Sequence, residues 1–105
     1  MSQFCAYKNT NQASRTLYPF LLEIQSDLLS GLRTTLVIPL TPAKIAAPIS
    51  LSTLNPTLTL EGKRYTAMTQ EIASIDRSLL GPLAHDLTAQ RHEIEAAVDF
   101  VLFGI

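Results

Sequence analysis

Tryptophan is missing from this chain of 105 residues, cysteine occurs once, and glycine occurs four times. The single cysteine, Cys5, excludes a disulfide within the chain and is typical of a reducing compartment. Four scattered glycines cannot form a glycine-rich phosphate-binding loop. No apolar run approaches the roughly 18 residues needed to span a bilayer, and residues 1–12 lack the basic and apolar regions of a signal peptide. These absences predict a cytoplasmic protein that does not enter a membrane.

Signatures of catalysis are also scarce. The two histidines, His85 and His92, have no cysteine or carboxylate pattern around them that resembles a metal site. No serine occupies a nucleophile elbow, and Cys5 has no basic neighbour in sequence that would activate its thiol. Glu93 and Glu95 point to different sides of the predicted helix, so they do not form a carboxylate pair. We therefore expect no metal, no cofactor and no enzymatic activity.

The composition is that of a folded globule, with 47% hydrophobic and 16% charged residues. The length favours a single domain spanning residues 1–105. Charge is unevenly placed, since residues 1–64 carry a formal +3 and residues 65–105 a formal −4. No stretch forms a basic stripe, so sequence-specific nucleic-acid binding is not expected. The acidic end favours a basic protein surface.

Short β-like runs fill the first three quarters of the chain. Residues 3–9 predict a first strand, and residues 18–26 alternate, with Leu22 on the buried side. Residues 34–40 are almost continuously apolar, as in a strand covered on both faces, and Pro39 places that strand at an edge or a bulge.

Two further segments complete the β pattern. Residues 57–70 form two alternating runs around Glu61-Gly62-Lys63, which predicts a hairpin. The connection at residues 41–56 is too interrupted by proline for a long helix. Many short strands separated by turn signals favour a small barrel or sandwich.

The final quarter changes to a helical period, with Thr88 as the expected N-cap. At about 100° per residue, Phe103 falls about 180° from Ile94, on the polar side with Ala96 and Asp99. The opposite, core-facing side is expected to hold Leu87, Ile94, Ala97, Val98, Val101, Leu102 and Ile105.

Two apolar features therefore point away from the predicted core. Phe103 indicates a contact surface near the helix end. Two alternatives stay open: the helix frays and the ring folds onto the core, or the ring is simply exposed, as single apolar residues often are. Leu28 and Leu29 follow the turn residues Gln25-Ser26-Asp27, and adjacent leucines in a turn cannot both bury easily. A lid over one end of the barrel is the alternative reading of that pair.

Four segments in matching order and spacing carry a resemblance: "QSDLL", "LVIPL", "MTQEIASI" and "LAHDLTAQRHEIEAAVDFVLFGI". Together they resemble the CcdB family, toxins of type II toxin–antitoxin modules that poison bacterial DNA gyrase. The resemblance implies a mainly β, SH3-like barrel of the CcdB/Kid type with one C-terminal α-helix, forming a two-fold homodimer. It implies that the paired helix ends bind the gyrase A subunit and trap the gyrase–DNA cleavage complex. A cognate CcdA-like antitoxin, folding onto the toxin, would remove it from gyrase.

The resemblance also implies which residues contact gyrase, and they fall in the leucine pair and the helix end. The family's last three residues are usually Trp-Gly-Ile, so Phe103 stands where a better cation–π partner for a gyrase arginine is usual. Leu28 and Leu29 replace an Ile-Ile pair, and Ala96 and Asp99 each replace an asparagine. The implied gyrase-binding residues are Ser26, Leu28, Leu29, Ala96, Asp99, Phe103, Gly104 and Ile105. The implied antitoxin surface is the basic first half of the chain with the 8–17 loop.

Two other functions remain open at this point. One is an endoribonuclease toxin of the MazF/Kid type, which uses the same barrel but needs basic and polar groups on an RNA groove. The sequence shows no such cluster. The other is a non-toxic chromosomal relative that acts only as a binding module, which the altered Trp and Asn positions allow.

Overall fold

The computed structural model describes residues 2–46 and 52–105. Within them, seven strands form one antiparallel sheet, and two helices and several short 3-10 turns connect or flank the strands. The strands are β1 (Cys5–Asn9), β2 (Phe20–Glu23), β3 (Thr34–Pro42), β4 (Thr57–Leu60), β5 (Lys63–Ala67), β6 (Ala73–Asp76) and β7 (Leu80–Asp86). The helices are α1 (Ala43–Ala46) and α2 (Arg91–Phe103).

The sheet curves into a half-barrel with the strand order β4-β5-β3-β2-β1-β7. Strand β3 is the longest strand. On the side opposite β2, it pairs first with one strand and then with another. Its first part pairs with β6, from Thr34 to Val37, and its last part pairs with β5, from Leu40 to Pro42. This arrangement, with one helix after the last strand, confirms the predicted fold class.

Pro39 lies between those two sets of pairs. The strand is interior, so the expected edge position is wrong, and no bulge interrupts its pairing with β2, where Pro39 faces Leu21. Proline lacks the N–H that a ladder needs. It is tolerated here because the partner strand changes at this point, and its carbonyl still accepts the Met68 N–H at 2.9 Å.

The predicted hairpin of β4 and β5 is confirmed, with a two-residue turn at Glu61-Gly62. Both turn residues have positive φ, 50° and 78°. A tight hairpin turn that matches the strand twist needs such values, and glycine adopts them without strain.

The core lies between the concave face of the sheet and α2. Leu22, Ile38, Leu40 and Leu58 are fully buried, and Ile94 of α2 packs with them. Each is the apolar member of an alternating run or of the helical stripe, so burial of these side chains is what fixes the sheet against the helix.

The start of α2 differs from the prediction. A 3-10 turn, Thr88–Gln90, precedes the helix, and the helix itself begins at Arg91. Thr88 does not act as the N-cap; its N–H and hydroxyl both donate to the Asp86 carboxylate, at 2.9 and 2.6 Å. Neither the 3-10 turn nor α2 has a side-chain cap, and the Asp86 carboxylate only joins the end of β7 to Thr88.

Two expectations from the sequence concern the 41–56 connection and the absence of a membrane-spanning segment. The 41–56 connection begins with α1, but residues 47–51 lie outside them. Neither helix in the described part of the chain has the length and hydrophobicity needed to cross a bilayer.

Candidate partner-binding surface

One face of α2 carries three of the residues singled out by the sequence. Ala96, Asp99 and Phe103 are spaced by three and four residues, so they lie on the same side of the helix. All three are exposed, and the Phe103 ring is 71% exposed. The buried side of α2 is formed by Ile94 and Ala97. Phe103 therefore points away from the core, as the helical wheel predicts, and the alternative in which its ring folds back is wrong.

Gly104 ends the helix with a left-handed residue. Its φ is 73°, and its N–H donates to the Phe100 carbonyl at 2.9 Å. Glycine suits this position because a Cβ is strained at positive φ. The chain then turns away from the helix axis, and Ile105 is left 86% exposed.

The expected burial of Leu102 and Ile105 is wrong. Leu102 is 61% exposed, and Ile105 is one of the most exposed large apolar residues. A helical wheel gives direction around the axis but not how much of the helix the barrel covers. Beyond Val98 the barrel covers α2 only partly, and Val101 is half-buried. The helix end therefore forms an apolar surface that also includes Phe100.

The leucine turn, residues 26–33, forms a second exposed apolar surface. Leu28 is 94% exposed and Leu29 46%, so they do not form a lid over the barrel. Leu32 is 51% exposed on the same turn. Sequence reasoning missed Leu32 because an isolated leucine after a glycine carries no periodic signal. Ser26 holds the start of the turn by accepting the Leu28 N–H at 3.2 Å.

A groove of about 380 Å³ lies between α2 and the end of β2. Asp99 and Glu95 line it from the helix, and Ile24 lines it from the strand end that leads into the leucine turn. Gln3 closes one side, with its backbone N–H donating to Asp27 at 2.8 Å and its amide donating to the Ile24 carbonyl at 3.1 Å. The remaining lining residues, all apolar, are Phe4, Ile94 and Val98. The groove therefore combines an apolar floor with two carboxylates, which suits a cationic side chain with an aliphatic stem.

Two further grooves lie elsewhere on the molecule. One, of about 420 Å³, lies beside the 8–17 loop and has an apolar floor that includes Leu21, Val37 and Ile75. The other, of about 560 Å³, is basic, and we call it the basic groove; its cations are Lys44, Lys63 and Arg64. None of the three pairs with a carboxylate in the described residues. Sequence reasoning missed this cluster because α1 meets β5 only in the folded chain.

The polar groups that could support catalysis or a metal are dispersed. Within the described residues, no group of three His, Cys, Asp or Glu side chains could hold a metal ion. His85 Nε2 lies 3.7 Å from the Glu61 carboxylate and packs edge-on against Phe20. Cys5 is buried in β1, and burial raises the pKa of its thiol. A buried thiol with a raised pKa is a poor nucleophile, which agrees with the expectation of a structural cysteine.

A family model described as CcdB protein matches residues 3–104 of the chain. The chain belongs to the CcdB family. Membership over nearly the whole chain confirms the resemblance on which the sequence prediction relied. It also supports the coarse part of the functional prediction, a toxin of a toxin–antitoxin system.

Solved structures show the same fold at low sequence identity. An endoribonuclease in complex with its cognate antitoxin, from a mycobacterial species, matches with a TM-score of 0.77 and 12% identity, covering 97% of this chain and 94% of the other. A second mycobacterial endoribonuclease matches with a TM-score of 0.72 and 14% identity, covering 97% and 90%. These structures contradict the expectation that a CcdB chain of this kind is not an enzyme. Both neighbours are endoribonucleases with this fold. The dispersed polar groups of the present chain are therefore no ground for excluding enzymatic activity.

Proposed function

We propose that this CcdB family member is a toxin that binds the gyrase A subunit and traps the gyrase–DNA cleavage complex. The observation that carries the proposal is the exposed apolar end of α2, formed by Phe103, Gly104 and Ile105 in a chain whose family match extends to residue 104. Exposed aromatic rings next to apolar residues are typical of interaction surfaces.

The geometry of α2 suits an arginine on the partner. The Phe103 ring is free to stack on a guanidinium, and a cation–π contact contributes about 0.5–2 kcal/mol depending on desolvation. Asp99 lies four residues before Phe103, one turn earlier on the same face, where its carboxylate can pair with that cation. Leu28 and Leu29 of the leucine turn, with Ser26, add a second contact to gyrase. Ala96 leaves room for the partner beside Asp99.

The proposed toxin acts as a two-fold homodimer. Leu102 and Phe100 leave apolar area at the helix end that one chain does not cover. An isologous interface between two copies covers such a surface and brings two copies of the Phe103 face together. The pair would then meet the two-fold symmetric gyrase A dimer.

A cognate antitoxin is the second proposed partner. One structural neighbour was solved with its cognate antitoxin, which supports a partner of this class for the present chain. The groove beside the 8–17 loop offers an apolar floor with a polar rim that includes Asn11 and Tyr18. A disordered segment that folds on binding could place apolar side chains there.

The proposal is tested by a gyrase cleavage-complex assay with the purified protein. Deleting Phe103 to Ile105 should abolish trapping while circular dichroism stays unchanged. Phe103→Ala should weaken gyrase A binding about 5- to 30-fold, the equivalent of about 1–2 kcal/mol. Phe103→Trp should strengthen it a few-fold, since Trp is the better cation–π partner.

The matched control is Leu83→Ala, which truncates a leucine that is 60% exposed on β7 and should leave trapping unchanged. If the truncated protein traps gyrase as well as the full chain, the helix end is not the site. Absence of trapping by the full chain would favour a non-toxic relative.

A second candidate function is an endoribonuclease. The shared fold with two endoribonucleases favours it, as does the basic groove, where Lys44, Lys63 and Arg64 could contact phosphates. An RNA-cleavage assay at physiological salt distinguishes this function from gyrase poisoning. Specific cutting that is lost in Lys63→Gln/Arg64→Gln but kept in Arg15→Gln, a control on an exposed loop, would favour the endoribonuclease.

A further inference from the structure

A buried ion pair lies beneath the leucine turn. Glu23, the last residue of β2, is 2% exposed, and its Oε2 lies 2.8 Å from Nη1 of Arg77. The Arg77 side chain is 14% exposed. The Thr35 hydroxyl donates to the same carboxylate oxygen at 2.7 Å. Removing two charges from water costs energy that can exceed their mutual attraction, so a buried pair by itself is weak evidence of a gain in stability.

Arg77 uses its other donors on the leucine turn. Its Nε donates to the Leu32 carbonyl at 2.7 Å, and its Nη2 donates to the Leu29 carbonyl at 3.3 Å. Its backbone N–H donates to the Arg33 carbonyl at 2.9 Å. One guanidinium therefore joins the carboxylate of Glu23, which is fixed in the sheet, to two carbonyls of the turn.

Within itself, the turn is held by backbone hydrogen bonds, in which the N–H groups of Leu29, Ser30 and Leu32 donate to the carbonyls of Ser26, Asp27 and Leu29 at 3.0–3.1 Å. Its 3-10 segment, Asp27–Leu29, contains no buried residue, and its three leucines are exposed. A segment that buries so little apolar area is expected at the low end of local stability. Asp27, which accepts the Gln3 N–H at 2.8 Å, and Arg77 join this turn to the rest of the fold and so help to set the orientation of its leucines.

We propose that Arg77 is a positioning residue that holds the leucine turn in one conformation and so presents Leu28, Leu29 and also Leu32 to the partner. The inference rests on the proposed function, in which this turn contacts gyrase. A preformed turn does not lose conformational freedom on binding, so more of the contact energy appears as affinity. Lysine cannot replace the arginine, because one ammonium can neutralise Glu23 but lacks the planar fork that reaches two carbonyls as well.

The first test is hydrogen exchange on the free protein, which does not depend on gyrase. Arg77→Lys keeps a positive charge beside Glu23 and should retain the fold, with an unchanged circular dichroism spectrum. The amides of Leu28, Leu29 and Leu32 should exchange about tenfold faster, which is about 1.4 kcal/mol of easier opening. The matched control is Arg15→Lys, at an exposed arginine in the 8–17 loop and outside the leucine turn; it should leave this exchange unchanged.

The second test measures the affinity for the purified gyrase A subunit. Arg77→Lys should raise Kd about tenfold, and Arg15→Lys should not. Unchanged exchange in the turn of Arg77→Lys overturns the proposal. Faster exchange with unchanged affinity overturns the presentation of the leucines to gyrase. Failure of the wild-type protein to bind gyrase refutes the proposed function, while the exchange comparison still decides whether Arg77 holds the turn.

Discussion

Gly81 lies where β7 runs closest to the backbone of β1. A Cβ on this residue would come within 2.6 Å of the Lys8 carbonyl oxygen and 3.2 Å of the Lys8 Cβ. Backbone cannot give way as the tip of a flexible side chain can. Only glycine therefore allows the close pairing of these two strands at this point.

Gly81→Ala should reduce the free energy of unfolding by about 1–3 kcal/mol, the usual effect of forcing an extra carbon into a packed site. Urea unfolding measures it. The matched control is Gly31→Ala, because a Cβ at Gly31 meets nothing within 4 Å, and it should be nearly neutral. Equal effects of the two substitutions would show that strand contact at Gly81 is not the cause.

The carboxyl of Asp76, next to the 3-10 turn after β6, makes the stability of the fold depend on pH. Its carboxylate accepts the Ser78 N–H at 2.9 Å and pairs with Arg33 at 2.8 Å. Hydrogen bonds from Ser78, and then from Arg33, lower the pKa of this carboxyl from 3.8 to about 2. Because the folded pKa is below the unfolded one, Asp76 stabilises the fold fully above about pH 4, and the contribution disappears as pH falls towards 2.

Asp76→Asn should therefore flatten the fall of unfolding free energy between about pH 4 and pH 2. Urea titrations at several pH values measure the slope. Asp99→Asn serves as the control, since it removes a carboxylate on the exposed face of α2 that makes no ion pair among the described residues. Identical slopes for wild type and Asp76→Asn would contradict the role of Asp76.

Strand β4 forms one edge of the sheet, and a side chain covers it. The Gln90 carboxamide accepts the Thr59 N–H at 2.9 Å and donates to the Thr59 carbonyl at 3.0 Å. This amide takes the place of a further strand at that residue. An uncovered edge is a template for pairing with another chain, so Gln90 both protects the edge and ties it to the start of α2.

Gln90→Ala should lower the free energy of unfolding by about 1–3 kcal/mol, from two lost hydrogen bonds of about 0.5–1.5 kcal/mol each. The Thr59 amide should also exchange faster. Gln12→Ala, an exposed glutamine in the 8–17 loop, is the control. If the Thr59 amide exchanges at the wild-type rate in Gln90→Ala, the edge is not held by this contact.

The proposed homodimer can be tested by sedimentation. The apolar surface formed by Phe100 and Leu102 on α2 should pair with a second copy, so wild-type protein should sediment as a dimer at micromolar concentration. Leu102→Glu places a charge in that apolar surface and should shift the protein towards monomer. Leu83→Glu is the matched control, because Leu83 on β7 is 60% exposed against 61% for Leu102. Wild-type protein that sediments only as monomer would contradict the proposed mechanism.

Elements with a clear local signal could be predicted from the sequence. The hairpin of β4 and β5 was found because alternation and a Glu61-Gly62 turn specify it within a few residues. The apolar runs of β2 and β3 and the helical period of α2 are equally local. Strand β7 was missed, since Gly81 and Pro82 interrupt any alternation and long-range pairing with β1 holds it in place.

Part of the candidate site could likewise be predicted from local sequence, and part of it could not. The outward direction of Phe103 follows from its angle around α2, and the exposure of Leu28 and Leu29 follows from their place in a turn. The exposure of Leu102 and Ile105 could not be predicted, because it depends on where the barrel stops covering the helix. Gyrase contact itself came only from the resemblance to the CcdB family and stays a prediction.

The hairpin, the apolar strands, the outward direction of Phe103 and the family follow from the sequence, because each depends on neighbours along the chain or on order and spacing. The tertiary structure alone decided which distant groups meet. It joins Arg77 to Glu23 and the leucine turn, places Gln90 on the edge of β4, and brings Lys44 beside Lys63. The physical reason is that hydrogen bonds and charge pairs act over a few ångströms. Only folding of the sheet brings residues more than ten positions apart within that range.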